Sequence, residues 1–359
     1  MTSNRWIAIH TGASHYLDHL GVLCIELGLP LLVTEEAVYQ NAQKFYPQLQ
    51  CQLIDLQTLS LDYLADQYDV IFESGHRWAL ELVPLFEMMY QKKMRIVYCP
   101  HGNSDKGYSQ EPLPKDISLV YGSHMMDHLK KTKSLEKTEA TVLTGNYRYK
   151  YYLKHQQFYD NLLQSELEGK LDPAKKTVFY APTWPDGENN SSFLTCATRV
   201  IREVGEYYNV LIRWHPFLDE MHPVETHQLR GEFENKRGVI FLSDFPCIYP
   251  ILNASDFYLG DFSSIGYDFL AFNKPLFFLD SHFGMLYKCG KQLNLSHHLG
   301  KSIQETDSSC FKKQREETYH YVFGEIRMSQ TIFEEIKEAL SCDRASWTKN
   351  YLQLLQDDS

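Results

Sequence analysis

What this chain has little of narrows it first. Its eight cysteines form no CxxC pair and no zinc-type Cys–His spacing, so neither a zinc site nor a disulfide framework is supported. No apolar run is long enough to span a bilayer, and the opening MTSNRWIAIHTG lacks the charged start and apolar core of a secretory signal. These absences predict a cytoplasmic chain with reduced thiols. Positive charge is also scarce: a formal net charge of −11 argues against a nucleic-acid binder, which needs a basic face. An anionic small ligand stays open, because a local site can be positive on an acidic protein. One short basic run, HLKKTKSLEK from His128 to Lys137, reads as a solvated helix face, with contact to a membrane surface as the alternative. There is no internal repeat and no low-complexity tract.

What is present is the composition of a globular protein, 43% hydrophobic and 23% charged, over 359 residues. That length makes two domains the natural expectation. The 14% aromatic content fills a core more readily than it lines a ligand site.

Short apolar runs alternate with longer amphipathic stretches, which predicts an α/β fold with mainly parallel strands. In the first half the expected strands are Trp6–His10, Gly28–Thr34, Cys51–Leu56, Asp69–Ser74, Arg95–Pro100, Ile117–Gly122 and Ala140–Gly145. A polar, helical stretch from about Lys150 to Lys176 reads as the connection between domains. A second set follows: Lys176–Thr183, Tyr208–Pro216, Gly238–Asp244, Asp256–Asp261 and Lys274–Asp280. The expected organisation is therefore two Rossmann-like, doubly wound domains, 1–150 and 151–340, facing a central cleft, with a helical tail over 341–359. In open α/β sheets ligands bind beyond the carboxyl ends of the strands, so the strand ends are where function should be sought.

Unusual groups stand at several of them. After Gly260, Asp261-Phe262-Ser263-Ser264 leads into a helix-like stretch. Either serine suits an N-cap, and the free amides and dipole of such a helix start suit a phosphate, although a cap with nothing bound is a common structure. In RWHP, strand alternation puts Arg213 and His215 on one side and Trp214 on the other. Both could donate to a phosphate; a surface Arg and a satisfied core His are the plainer alternative. In HGNSDK, Gly102 permits close backbone approach, Asn103 and Ser104 supply donors, and Lys106 supplies a point charge. His101 there has an ordinary pKa near neutrality and could take a proton from an attacking hydroxyl. A loop with an incidental histidine would look the same in isolation. Taken together, these strand ends favour a phosphorylated ligand.

The ordered set HGNSDK, GNYR, YAPTW, HP and GDFSSIGYDF followed by KP resembles the CDP-glycerol glycerophosphotransferases, the teichoic-acid polymerase family. The resemblance runs from about Ile96 to Asp280. Asn103, Ser104 and Asp105 stand where the family's HGTPLK signature has Thr, Pro and Leu, Tyr147 replaces a proline, and Phe262 replaces a tyrosine. The resemblance implies a GT-B fold and transfer of a polyol phosphate from a CDP-activated donor to an acceptor hydroxyl, with release of CMP. The acceptor it implies is a polyol phosphate or glycan, lipid-linked or free, which would bring the protein to the inner face of the cell membrane. It implies His101 as general base and His215 as the second catalytic histidine. Arg213, Ser263, Ser264 and Thr183 would hold the donor, with Arg148 and Lys106 as further phosphate contacts. Gly102 and Asn103 fall on the acceptor side. A carboxylate beside phosphate is repulsive, so Asp261 is expected to orient its loop through backbone amides. Neither a metal nor a cofactor is expected. A nucleotide-sugar glycosyltransferase, a sugar-nucleotide epimerase and a catalytically silent nucleotide binder remain as alternatives.

Overall fold

Runs of β-branched and aromatic residues without alternation, such as WIAIH and TVFYA, are the signature of strands covered on both faces. The computed structural model, which describes residues 5–12, 14–75, 82–103, 115–185, 191–261, 263–279 and 284–341, builds them into two parallel sheets. The chain divides into two compact units, the first made of Met1–Gly102, Lys106–Tyr151 and Phe323–Ser359, the second of Asn103–Asp105 and Tyr152–Val322.

The first unit holds strands β1 (Trp6–His10), β2 (Leu31–Val33), β3 (Cys51–Leu53), β4 (Val70–Glu73), β5 (Arg95–Tyr98), β6 (Lys115–Val120) and β7 (Thr138–Leu143). Their order across the sheet is β3-β2-β1-β4-β5-β6-β7. The chain steps outward from β1 in one direction and then restarts at β4 in the other, which is the Rossmann pattern. One core cluster lies against this sheet, with Ile7, Ile9, Ile71, Phe86 and Ile96 buried in it.

The second unit repeats the pattern with β8 (Thr177–Ala181), β9 (Asn209–Ile212), β10 (Val239–Phe241), β11 (Phe257–Gly260), β12 (Leu276–Phe278) and β13 (Lys291–Gln292). The order is β10-β9-β8-β11-β12-β13, again with a switch beside its first strand, between β8 and β11. Its core centres on Val178, Tyr180, Val210, Ile212, Trp214 and Leu259.

Two expectations about organisation are corrected. The stretch after Lys150 is no linker: helix Gln156–Leu167 buries Tyr159, Leu163 and Leu167 and packs on helix Ile248–Ala254 of the second unit. The second domain also does not run to residue 340, because helix Ser329–Ser341 packs on β6, β7 and helix Leu20–Leu27 of the first unit. Ile332 and Ile336 drive that return, since their one apolar face is buried there. Arg327 clamps the same helix through a bidentate pair with Glu335 at 2.5 and 2.8 Å. The expected tail beyond Ser341 lies outside the described residues.

Candidate active site

Parallel strands put all their carboxyl ends on one edge of a sheet, so the motifs of the second unit meet there by construction. YAPTW leaves β8, RWHP leaves β9 and GDFSS leaves β11, and β8 and β11 are the two strands of the switch point. Their loops therefore flank the crevice where doubly wound sheets take ligands. Gly260 pairs with Ala181 across this point, and a Cβ on it would lie 2.4 Å from the Tyr258 hydroxyl and 2.9 Å from the Ala181 carbonyl oxygen. Only glycine lets β11 end so close to β8.

Asp261 joins the two loops. Its fully buried carboxylate accepts from the Thr183 amide at 3.0 Å and the Ser192 amide at 2.9 Å, both through Oδ2. Backbone amides thus answer its negative charge. Thr183 is itself buried, and its carbonyl accepts from Ser191 Oγ at 2.5 Å. Ser263 caps helix Ser264–Phe269 by accepting from the Ile265 amide at 3.3 Å, and Ser264 opens that helix half-buried. Tyr180 hydrogen-bonds Ser192 at 2.9 Å beneath the same loops. Burial first, and Asp261 next, push its phenol well above the ordinary range.

Arg213 and His215 are half-buried while Trp214 sits in the core, as strand alternation requires. The Arg213 amide donates to the Tyr180 carbonyl at 3.1 Å, which carries the β8–β9 ladder one residue past the strand. His215 Nδ1 accepts from the Phe217 amide at 3.2 Å, so in the neutral ring the proton belongs on Nε2. The imidazole lies 5.0 Å from the Phe217 ring and 5.9 Å from Trp184, and these aromatics hold it as a donor through Nε2. Other parts of the motifs are structural. Asp268 accepts from the Tyr249 hydroxyl at 3.0 Å, and Lys274 caps helix Ile248–Ala254 by donating to the Asn253 and Ser255 carbonyls.

In the first unit His101 is half-buried just past β5. Its Nδ1 lies 3.5 Å from the Tyr98 hydroxyl, and the ring of Tyr16 meets it edge-on at 5.2 Å. Gly102 has φ +140°, a conformation side-chain-bearing residues rarely adopt. Asn103, the first residue that belongs to the second unit, is buried, and neither amide atom of its side chain has a hydrogen-bond partner among the described residues. Lys106, with Ser104 and Asp105, lies outside the described residues, as does Phe262.

Arg148 is the one predicted residue whose surroundings argue for another role. It is 3% exposed, and its Nε donates to the Asp18 carbonyl at 2.9 Å while its Nη2 grips the Asp18 carboxylate. That makes it a buried strut of the first unit rather than a phosphate contact. Cys99, two residues before His101, is fully buried, and burial pushes its thiol up to about 11. Among the described residues no group of three or more His, Cys, Asp or Glu is placed to hold a metal ion. Sequence reasoning missed Tyr16, Tyr98 and Ser192; Glu73, an acid ending the apolar run DVIFES, was the one visible signal in the first unit.

A family model described as CDP-Glycerol:Poly(glycerophosphate) glycerophosphotransferase matches residues 83–288, more than half of the chain. The teichoic acid ribitol-phosphate polymerases TarK and TarL of Staphylococcus aureus are each 26% identical to it over 125 residues. Those matches cover 33% of this chain but only 23% and 21% of the relatives' own lengths. Among solved structures, the wall teichoic acid polymerase TagF superposes with a TM-score of 0.66 at 15% identity, over 94% of this chain and 88% of its own. The UDP co-structure of S. aureus MnaA gives 0.60 at 16% identity, covering 93% and 96% of the two chains. The putative UDP-N-acetylglucosamine 2-epimerase of Listeria monocytogenes gives 0.58 at 12%, covering 96% and 99%. At such identities the likeness establishes the fold, a GT-B-like pair of Rossmann-like domains.

Proposed function

The chain belongs to the CDP-glycerol:poly(glycerophosphate) glycerophosphotransferase family, and from that premise we propose that it moves a polyol phosphate from a CDP-activated donor to an acceptor hydroxyl. The observation that carries the reading is that the family match, residues 83–288, takes in every strand-end motif described above.

In this reading the acceptor oxygen attacks the phosphorus nearest the polyol. The bond from that phosphorus to the bridging oxygen breaks, and CMP leaves with the electron pair. His101 takes the hydroxyl proton, a role worth about 10²–10⁴ in rate. The charge that grows on the leaving phosphate is met by His215 Nε2–H, by the Arg213 guanidinium and by the amides that Ser263 and Ser264 present at their helix start. Asp261 holds Thr183 in place without touching the phosphate. The buried side-chain amide of Asn103, which has no hydrogen-bond partner among the described residues, suits a hydroxyl-rich acceptor. The acceptor class is a polyol phosphate or glycan. A lipid-linked form of it would place the reaction at the inner face of the cell membrane, and no helix among the described residues is long and apolar enough to cross one.

Calorimetric titration with CDP-glycerol, CDP-ribitol, CMP, UDP and UDP-N-acetylglucosamine tests the donor. Tighter binding of the cytidine compounds is the expected result; a preference for UDP overturns the reading in favour of a nucleotide-sugar enzyme. His101→Ala should keep donor affinity and lose about 10²–10⁴ in turnover, and unchanged turnover would remove His101 as the base.

A further inference from the structure

We propose that Tyr121 is a positioning residue for His101, and that His19 acts on His101 through it. The inference rests on the reading of His101 as the base, and it assigns the side chains that hold its backbone in place.

His101 enters the site through the Pro100–His101 peptide, in which the Pro100 carbonyl and the His101 Cα share one plane. Holding that carbonyl therefore holds the Cα from which the imidazole leaves the chain. The Tyr121 hydroxyl holds it, donating to the Pro100 carbonyl at 3.1 Å. The Cys99 thiol reaches the same oxygen at 3.7 Å, a weaker contact on its second lone pair. On the other side of His101, Gly102 has φ +140° and little stiffness of its own. Orientation has to come from the Pro100 side.

The partners set the direction of each bond. A carbonyl only accepts, so the single Tyr121 proton goes to Pro100 and the Tyr121 oxygen is left to accept. His19 Nδ1 lies 3.1 Å from that oxygen, so Nδ1 carries a proton and neutral His19 is the Nδ1–H tautomer. Tyr121 and His19 are 1% and 8% exposed, so bulk water does not compete for either bond.

The turn that supplies His19 meets His101 a second time. The His19 amide donates to the Tyr16 carbonyl at 3.0 Å, and the Tyr16 ring stands edge-on to the His101 imidazole at 5.2 Å and 72°. Other parts of the first unit anchor this turn. The Tyr147 hydroxyl donates to the His19 carbonyl at 3.1 Å, and the Tyr46 hydroxyl donates to the Asp18 carboxylate at 3.1 Å. Arg148 grips that carboxylate too, so its strut holds the turn from which His19 reaches Tyr121.

Pro100–His101 is the one proline–histidine bond in the sequence, which gives it a resonance of its own. Full-length protein labelled with ¹³C-carbonyl proline and ¹⁵N-histidine should show a single carbonyl–amide correlation, from this peptide and without any ligand. In Tyr121→Phe the Pro100 carbonyl carbon should move upfield as its donor is lost. Neutral His19, its ring signals identified by their loss in His19→Ala, should lose the Nδ1–H tautomer. With CDP-glycerol as donor, kcat should fall about 10- to 100-fold in Tyr121→Phe while the donor KM holds. His19→Ala should move the correlation and lower kcat in the same sense. His19→Asn, whose amide N–H stands in for Nδ1–H, should restore both, and this pair decides the matter if Tyr121→Phe does not fold. An unmoved correlation in the folded variants, or a moved one with kcat unchanged, overturns the proposal; equal damage from His19→Asn and His19→Ala overturns the part given to His19. The two readings fail separately: turnover retained in His101→Ala removes the base, whereas the tie to Pro100 is read from the resonance alone.

Discussion

At the carboxyl edge of the second unit the polar groups are held by main-chain amides and by near neighbours in sequence, whereas in the first unit His101 meets aromatic side chains, Tyr98 from the strand before it and Tyr16 from a distant segment. Asp261 binds amides, Ser263 caps the helix that follows it, and His215 takes the amide two residues on. Around His101 the partners are Tyr16 from beyond β1, Tyr98 from β5 and, one shell further out, Tyr121 from beyond β6. Amide-held groups stay in place when neighbouring side chains change. A side chain held by other side chains can be re-aimed by a single substitution. Substitutions at three positions would break or sharpen that contrast.

Arg148→Ala should have the largest effect. It leaves the Asp18 carboxylate buried without its guanidinium, and breaking such a pair costs about 3–5 kcal/mol, readable by urea unfolding. Donor affinity of the folded protein should be unchanged by calorimetry. A loss of donor affinity with stability intact would make Arg148 a phosphate ligand after all and blur the division between the units.

Asp261→Ala strands the Thr183 and Ser192 amides, a loss of about 2 kcal/mol, and it should weaken donor binding as well because the switch-point loops lose their tie. Asp261→Asn keeps an acceptor oxygen and should recover most of both. Equal damage from Asn and Ala would mean that the negative charge, not the amide geometry, is what the site uses.

Ser263→Ala removes one cap from a short helix and should cost about 1 kcal/mol of stability with a modest drop in donor affinity. A drop in affinity as large as that of Asp261→Ala would show that the serine hydroxyl itself reaches the phosphate.

The fold was largely legible because parallel strands buried on both faces need continuous apolar runs, and these are visible in one dimension. Only the two-residue strand Lys291–Gln292 escaped, since a pair at the sheet edge leaves no periodicity to read. The second unit's site was legible for a related reason. A strand end, a cap and a helix start are consecutive in sequence, so GDFSS carries its own geometry. The roles of Arg148 and Tyr16 were not legible, because each depends on a partner many residues away.

What the sequence alone determined, then, is the two-sheet plan and the identity of the groups at the strand ends, both set by local apolar pattern and local hydrogen bonding. Tertiary structure decided which of those groups are available. It turned Arg148 inward to Asp18, brought Ile332 and Ile336 back to the first sheet, and set the ring of Tyr16 against His101. The reason is physical: an apolar face or a buried charge must find its partner wherever the fold supplies one, and only the closed structure says where that is.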